Sequence, residues 1–482
     1  MSVELILEST PTGQFIGGEF RETGATFDVE NPATGEVIAK VSDGGPDEAR
    51  AAMDAACAAA ESWAATEPRE RAEILHRAYE LIVERAETFA TLMTLEMGKP
   101  LKEAHGEVTY GAEFLRWFAE EAVRIDGRWS VAPSGGNRFL IMKQPVGPVY
   151  AITPWNFPLA MGTRKIGPAL AAGCTVVIKP AKLTPLTMLA LMQVFADAGV
   201  PAGVVNCIVG SSSSELSEPI FADPRLRKLT FTGSTEVGRG LLEQAAPHVL
   251  RTSMELGGNA PFVLLADADL DVAVSAAMAA KFRNNGEACT AANRFFVHKD
   301  LVGEFQARFT AEVEGLVLGN GLDEGTTLGP LVDDDTLTKV TELVDDAVAK
   351  GARVLTGGKR GDGPGHFMQA TVLADVSRDA RVLKEEIFGP VAPIIPVDSD
   401  EEALELANDT EFGLISYVIT RDVSRAITTA EKFESGIVAL NTGVVSNPAA
   451  PFGGVKQSGL GREGSHEGVE EYLETKYVGI AL

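Results

Sequence analysis

"VYAITPWNFPLAMGTRKIGPALAAGCTVVIKPA" (Val149–Ala181) decides the fold. Two short apolar runs, "PVYAITP" and "CTVVIKP", flank a helical run that stops at Gly173. The second run is apolar throughout, as a strand covered on both faces must be. Downstream, "TPLTMLALMQVFADAG" is entered through Thr184 and Pro185 and closed by Gly199, which marks a helix. "VVNCIVG" and "KLTFTGS" read as further strands, and "TEVGRGLLEQAA" as a helix entered through a glycine turn. Repeated βα units predict an α/β fold with a doubly wound parallel sheet.

Upstream, Pro46 to Glu120 keeps apolar residues at three-to-four spacing and reads as helices. Between them and Val149, "VAPSGGNRFLIMKQPVG" is punctuated by Gly and Pro, and its runs read as strands. A second α/β stretch begins near residue 256. There "LDVAVSAAMAAKFRNNG" is expected to be a helix ending just before Cys289. Two α/β blocks packed together leave a cleft, a usual place for a ligand.

The chain has 482 residues, too many for one hydrophobic core. Its net charge of −26 argues against nucleic acid as a partner. An anionic substrate would need local arginines against that field. No apolar run is long enough to span a bilayer, and the first residues lack the pattern of a secretory signal. The four cysteines (57, 174, 207 and 289) fit neither a zinc site nor a disulfide scaffold. With six scattered histidines, no metal site is expected. A cytoplasmic location follows from that cysteine usage.

Single motifs say little alone. "FTGSTEVGRG" puts Gly233 and Gly238 across a strand-to-helix turn but lacks the G-x-G-x-x-G spacing. Such a turn still offers backbone N–H groups to a phosphate. Lys179 ends a buried strand and Lys182 follows it. In dinucleotide sites a basic residue accommodates a 2′-phosphate, so Lys182 hints at NADP; read blindly it is a loop charge. "MELGGNAPF" sets Glu255 in apolar company, and Cys289 lies 34 residues later. A cysteine nucleophile needs a base or an electropositive setting. Glu255 is a candidate base, and Asn156 of "PWNFPL" a candidate oxyanion donor. Separately they read as an ion-pair partner, a helix cap and a buried thiol.

Together they are another matter. "PWNFPL", "GPALAAGCTVVIKPA", "FTGSTEVG", "MELGGNAPF", "GEAC", "EEIFGPV" and "PFGGVKQSGLGREG" stand in an order that resembles the aldehyde dehydrogenase superfamily over nearly the whole chain. The resemblance implies that Cys289 is the nucleophile and Glu255 the general base. Asn156 and the Cys289 N–H would form the oxyanion hole. Trp155, Glu386 and Phe388 would lie by the nicotinamide half of the cofactor, with Glu386 on its ribose and Phe388 beside its ring. Lys179 would reach the adenosine ribose, Ser234 a phosphate, and Gly233 and Gly238 the turn that approaches it. It also implies a cofactor domain (1–126 and 148–255), a catalytic domain (256–446) and a small β oligomerisation arm (127–147 and 447–482), hence a homodimer or homotetramer.

Within the superfamily, "AMGTRKIGPALAAGC", "KFRNNGEACTAANR" and the C-terminal tail look most like succinate-semialdehyde dehydrogenases. The matching carboxylate clamp is Arg164, Arg283 and Ser446, and a guanidinium fork suits a carboxylate. Arg283 is expected on the helix before Cys289. The cofactor expectation is NADP by preference, with NAD usable. Other aldehydes, such as glutarate semialdehyde or a neutral aliphatic or aromatic one, stay open, and so does a non-catalytic binding role. Two departures stand out. Glu287 replaces a common Gln, and its carboxylate should point away from Cys289 or pair with a cation, because a nearby negative charge opposes thiolate. Ala291 stands where some relatives carry a second cysteine, so no redox-switch disulfide is expected.

Overall fold

The predicted βα units close into an eight-stranded sheet. Strand Val149–Ile152 pairs in parallel with Val176–Lys179 on one side and Lys228–Thr232 on the other. Val205–Cys207 and Arg251–Glu255 extend the sheet in parallel outward from these. The order therefore reverses at Val149–Ile152, which is where open α/β sheets bind ligands, outside their carboxyl ends. Short antiparallel strands finish both edges. The computed structural model describes residues 2–481.

A seven-stranded sheet follows, in the order 353–356, 371–374, 391–397, 292–298, 260–264, 415–419, 437–440. All but the first of these pair in parallel. The third sheet has three antiparallel strands, Arg128–Val131, Asn137–Pro145 and Leu473–Ala481. Within the C-terminal tail, Gly459–Leu460 joins the edge of the first sheet instead, beside Glu255. Of the four helices between Pro46 and Ala122, Pro46–Ala65 packs on the first sheet, and the other three pack on each other and on the helices Ala160–Ala172 and Leu186–Asp197 that cover it.

One expected element ends early. The helix Leu270–Phe282 stops before Arg283, and Asn284, Asn285 and Gly286 all take positive φ (56°, 59° and 76°). Asn tolerates this backbone better than other non-glycine residues. Cys289 thus sits on a sharply turned loop, not at a helix end, and Arg283 stands at the break. A Cβ on Gly286 would lie 2.4 Å from the Gly389 carbonyl oxygen. Gly286→Ala should therefore cost about 2 kcal/mol or more. The check is urea unfolding; an unchanged midpoint would refute the predicted clash.

Candidate active site

The two large sheets meet across a cleft of about 1090 Å³. The first sheet supplies residues just after its strands: Trp155 and Asn156, Gly233 and Ser234, and Glu255 at the end of its own strand. The second supplies residues just before its strands: Gly257, Cys289, Glu386 and Phe388. Opposite strand ends thus face one space. Eleven predicted residues line it: Trp155, Asn156, Arg164, Gly233, Ser234, Glu255, Arg283, Cys289, Glu386, Phe388 and Ser446.

Asn156 is fixed by its own amide. Its Oδ1 accepts the Phe157 N–H at 3.0 Å, and its Nδ2 donates to the Glu287 carbonyl at 3.1 Å. The second amide hydrogen is left for the cleft. Burial pushes the Cys289 thiol up to about 12; Arg164 and Arg283 pull it down, while Glu386 and Glu255 push it further up. The resting nucleophile is therefore a neutral thiol. Glu255 is 3% exposed, and neither carboxyl oxygen has a hydrogen-bond partner. Burial, and then the Glu463 carboxylate, raises Glu255 well above the usual range, with Arg164 and Lys165 opposing the rise. Burial thus favours the protonated carboxyl, which has to ionise before it can accept a proton.

Glu463 is the partner of these cations. Its carboxylate meets Arg164 Nε at 2.5 Å and Lys165 Nζ at 2.5 Å, all three side chains being buried. Those cations hold Glu463 below the usual range despite burial. Arg164 was expected to wait for a substrate carboxylate, but its charge is already matched, and its guanidinium lies 4.3 Å from the centre of the Phe452 ring. Arg283 differs. It is half-buried over the Phe157 ring at 5.6 Å and pairs with no carboxylate among the described residues.

Glu287 turns away from the cleft, as expected, but finds no cation. Its Oε1 accepts the Val332 N–H at 3.0 Å and its Oε2 has no partner. Burial raises it well above the usual range, which disfavours a negative charge near Cys289.

The residues fit a dinucleotide. Ser234 caps the helix Thr235–Ala245, whose N-terminus opens on the cleft at the order reversal. Trp155 and Phe388 meet edge to face at 5.3 Å, and Phe388 takes a positive φ of 54°. Burial raises Glu386 to about 7, although its Oε1 accepts the Gly258 N–H at 3.1 Å. Three predicted cofactor residues stand outside the cleft lining. Lys179 is buried at the end of its strand, where burial lowers it to about 8, and Lys182 is exposed on the next turn. Gly238 is a packing glycine: its Cβ would strike Leu256 Cδ2 at 2.4 Å.

Sequence reasoning missed Tyr110, Phe157, Met161, Phe452, Thr336 and Lys339, which also line the cleft. It also missed Glu463, although the "GREG" block that carries it was in view. With the thiol raised to about 12, iodoacetamide should label Cys289 slowly at pH 7. The rate should climb about tenfold per pH unit toward pH 10, because only the thiolate reacts. Peptide mass spectrometry measures this; a rate already level below pH 9 would contradict the burial argument.

Comparison with known proteins agrees with this geometry. The aldehyde dehydrogenase family profile matches residues 20–478. Succinate-semialdehyde dehydrogenase of Paenarthrobacter nicotinovorans is 56% identical over 92% of this chain and 99% of that protein. The Escherichia coli K12 enzyme named succinate-semialdehyde dehydrogenase (NADP+) is 50% identical, covering 97% of each. A glutarate-semialdehyde dehydrogenase of Pseudomonas putida is also 50% identical over 97% of each. The crystal structure of an E. coli NADP-dependent enzyme superposes with a TM-score of 0.97 at 49% identity, covering 98% of both chains. The chain belongs to the aldehyde dehydrogenase family.

Proposed function

We propose that this protein oxidises succinate semialdehyde to succinate, with NADP as the preferred acceptor and NAD usable. One observation carries the reading: Cys289, Glu255 and Asn156 share a cavity with Arg283, Arg164 and Ser446. One end of that space can react with an aldehyde and the other can hold an anion.

Cys289 adds as thiolate to the aldehyde carbon, and Glu255 in its ionised form is the base within reach of the proton. The oxyanion that develops is met by the Asn156 amide and the Cys289 N–H, fixed donors in a dry site. When bound, the nicotinamide supplies the hydride acceptor that turns the thiohemiacetal on Cys289 into a thioester. Once it has passed the thiol proton to solvent, Glu255 takes a proton from water, which attacks the thioester carbon; the C–S bond breaks and releases the acid and the Cys289 thiolate. Trp155, Phe388, Gly233, Ser234 and Glu386 would hold the nicotinamide and phosphate portions, and Lys179 and Lys182 the adenosine end. Lysine at 182 meets a 2′-phosphate where a carboxylate would repel it.

The exposed side chains of Trp129, Val131 and Tyr477 on the three-stranded sheet favour self-association into a dimer or tetramer, which light scattering distinguishes. The sheets also suit the division into a cofactor domain (1–126 and 148–255), a catalytic domain (256–446) and an arm (127–147 and 447–482). A cytoplasmic site accords with four free cysteines and with the lack of any helix long and apolar enough to cross a membrane among the described residues. Glutarate semialdehyde is a second reading, favoured by a relative of that name at equal identity to the E. coli enzyme.

Because Arg283 has no carboxylate partner and Arg164 does, Arg283→Ala should raise KM for succinate semialdehyde more than Arg164→Ala. The expected rise for Arg283→Ala is roughly tenfold to a hundredfold. KM for a neutral aldehyde of similar length should be little affected by either change, although Arg164→Ala, which unpairs Glu463, should lower kcat for both aldehydes. Equal effects on KM for charged and neutral aldehydes would overturn the anion clamp, and a higher kcat/KM for glutarate semialdehyde would reassign the substrate. In the same assays NADP should give the higher kcat/KM; a tenfold preference for NAD rejects the role given to Lys182.

A further inference from the structure

"EMGKPLKEAHGE" (Glu96–Glu107) joins the helices Ala86–Met97 and Leu101–Ala122 and lies outside the cleft lining. Its charged side chains nonetheless point at the active-site elements. Glu96 accepts the N–H groups of Leu186 and Thr187 at 2.7 and 2.9 Å, the first turn of the helix that follows Lys179 and Lys182. Glu107 accepts those of Leu159 and Ala160 at 3.0 and 3.1 Å, opening the helix that carries Arg164. Glu103 accepts the Asn284 N–H at 2.5 Å, at the start of the turn leading to Cys289. A carboxylate on free N–H groups at a helix start is favourable, so each contact fixes where that element begins.

Lys99 stands among these carboxylates and is 0% exposed. Its Nζ bonds the Glu107 carboxylate, donates to the Asn156 carbonyl at 2.8 Å and lies 4.4 Å from the centre of the Phe157 ring. The same carbonyl accepts Asn284 Nδ2 at 3.1 Å, and Asn284 Nδ2 also reaches the Glu287 carbonyl at 3.0 Å. Asn156 Nδ2 donates to that Glu287 oxygen as well. The oxyanion donor and the nucleophile loop are therefore tied through one carbonyl on each side. Capping the helices needs only the glutamates. A buried cation is costly unless its contacts are well made, and the hydrogen bond Lys99 makes beyond Glu107 is to Asn156.

We propose that Lys99 is a positioning residue for the reaction: through the Asn156 carbonyl, and steadied by Glu107, it sets the oxyanion donor against the Cys289 loop. The proposal rests on the reading of Asn156 and Cys289 given above. Lys99 touches neither substrate nor cofactor and acts through Asn156. Its removal should then lower turnover without weakening cofactor binding, and should matter only while the Asn156 amide is present.

The test uses the full-length protein and steady-state oxidation of succinate semialdehyde with NADP. Lys99→Met should lower kcat about tenfold to a hundredfold, less than the loss of an oxyanion donor itself because the Asn156 amide is displaced and not removed, with KM for NADP unchanged. The labelling rate of Cys289 by iodoacetamide should also stay the same. In an Asn156→Ala background the same change should cost less than twofold, since residues acting as a unit are not additive. Lys99→Met with Glu107→Gln removes both buried charges together, and provides a folded comparison if the single variant melts early. An equal cost of Lys99→Met with and without Asn156 overturns the proposal, as does full kcat in the folded double variant. Wild-type protein that oxidises no aldehyde overturns the functional reading and this proposal with it. An active wild type matched by its Lys99 variants overturns the proposal alone.

Discussion

The site depends on how the chain houses ionisable groups away from water. Two carboxyls, Glu255 and Glu463, share a buried space with two cations, Arg164 and Lys165. Glu463 takes both cations at 2.5 Å, which leaves Glu255 none. An unpaired carboxylate in such surroundings is expensive, so burial favours the protonated forms of Glu255 and of Glu287. Burial likewise pushes the Cys289 thiol up to about 12. Groups housed in this way resist charging, and fixed donors already face the space where charge would develop.

That arrangement requires strand ends of two sheets to meet. Glu255 is in register with Thr232 on one side and Gly459 on the other. Its place is therefore fixed by ladder bonds, not by its own side chain. Cys289 comes from the opposite sheet on a loop with three successive positive φ values. Neither sheet alone lines the cleft. The hairpin of helices at Glu96–Glu107 bonds the starts of two helices, at Leu159 and Leu186, and the turn at Asn284.

The βα alternation was legible because it is local: a strand run, a helix run and a glycine stop are each read within some fifteen residues. That Cys289, Glu255 and Asn156 would share one cleft was legible because each sits in a block of recognisable order. What stayed hidden is what the fold pairs over distance. Lys165 meets Glu463 across 298 residues, and Asn156 meets the Glu287 carbonyl across 131. No periodicity encodes either contact. Arg283 was placed on a helix because the apolar pattern of 270–282 runs straight into it. The break is set by Asn284, Asn285 and Gly286, whose conformation is held by Glu103, Pro330 and Gly389 from elsewhere in the chain.

The same pairing narrows how an acidic protein holds an anionic substrate. A chain of net charge −26 repels an anion at long range, so affinity has to come from cations inside the cleft. Among the cations that line it, Arg164 is matched by Glu463, and Lys339 draws Glu386 toward its ionised form. Arg283 lies 5.6 Å from the centre of the Phe157 ring and makes no ion pair among the described residues. A distal carboxylate that reaches Arg283 would meet an unmatched, half-buried charge. One that reaches Arg164 must share it with Glu463. On the proposed reading, selection for an anion would rest chiefly on Arg283, with Arg164 and Phe452 forming part of the wall beside it.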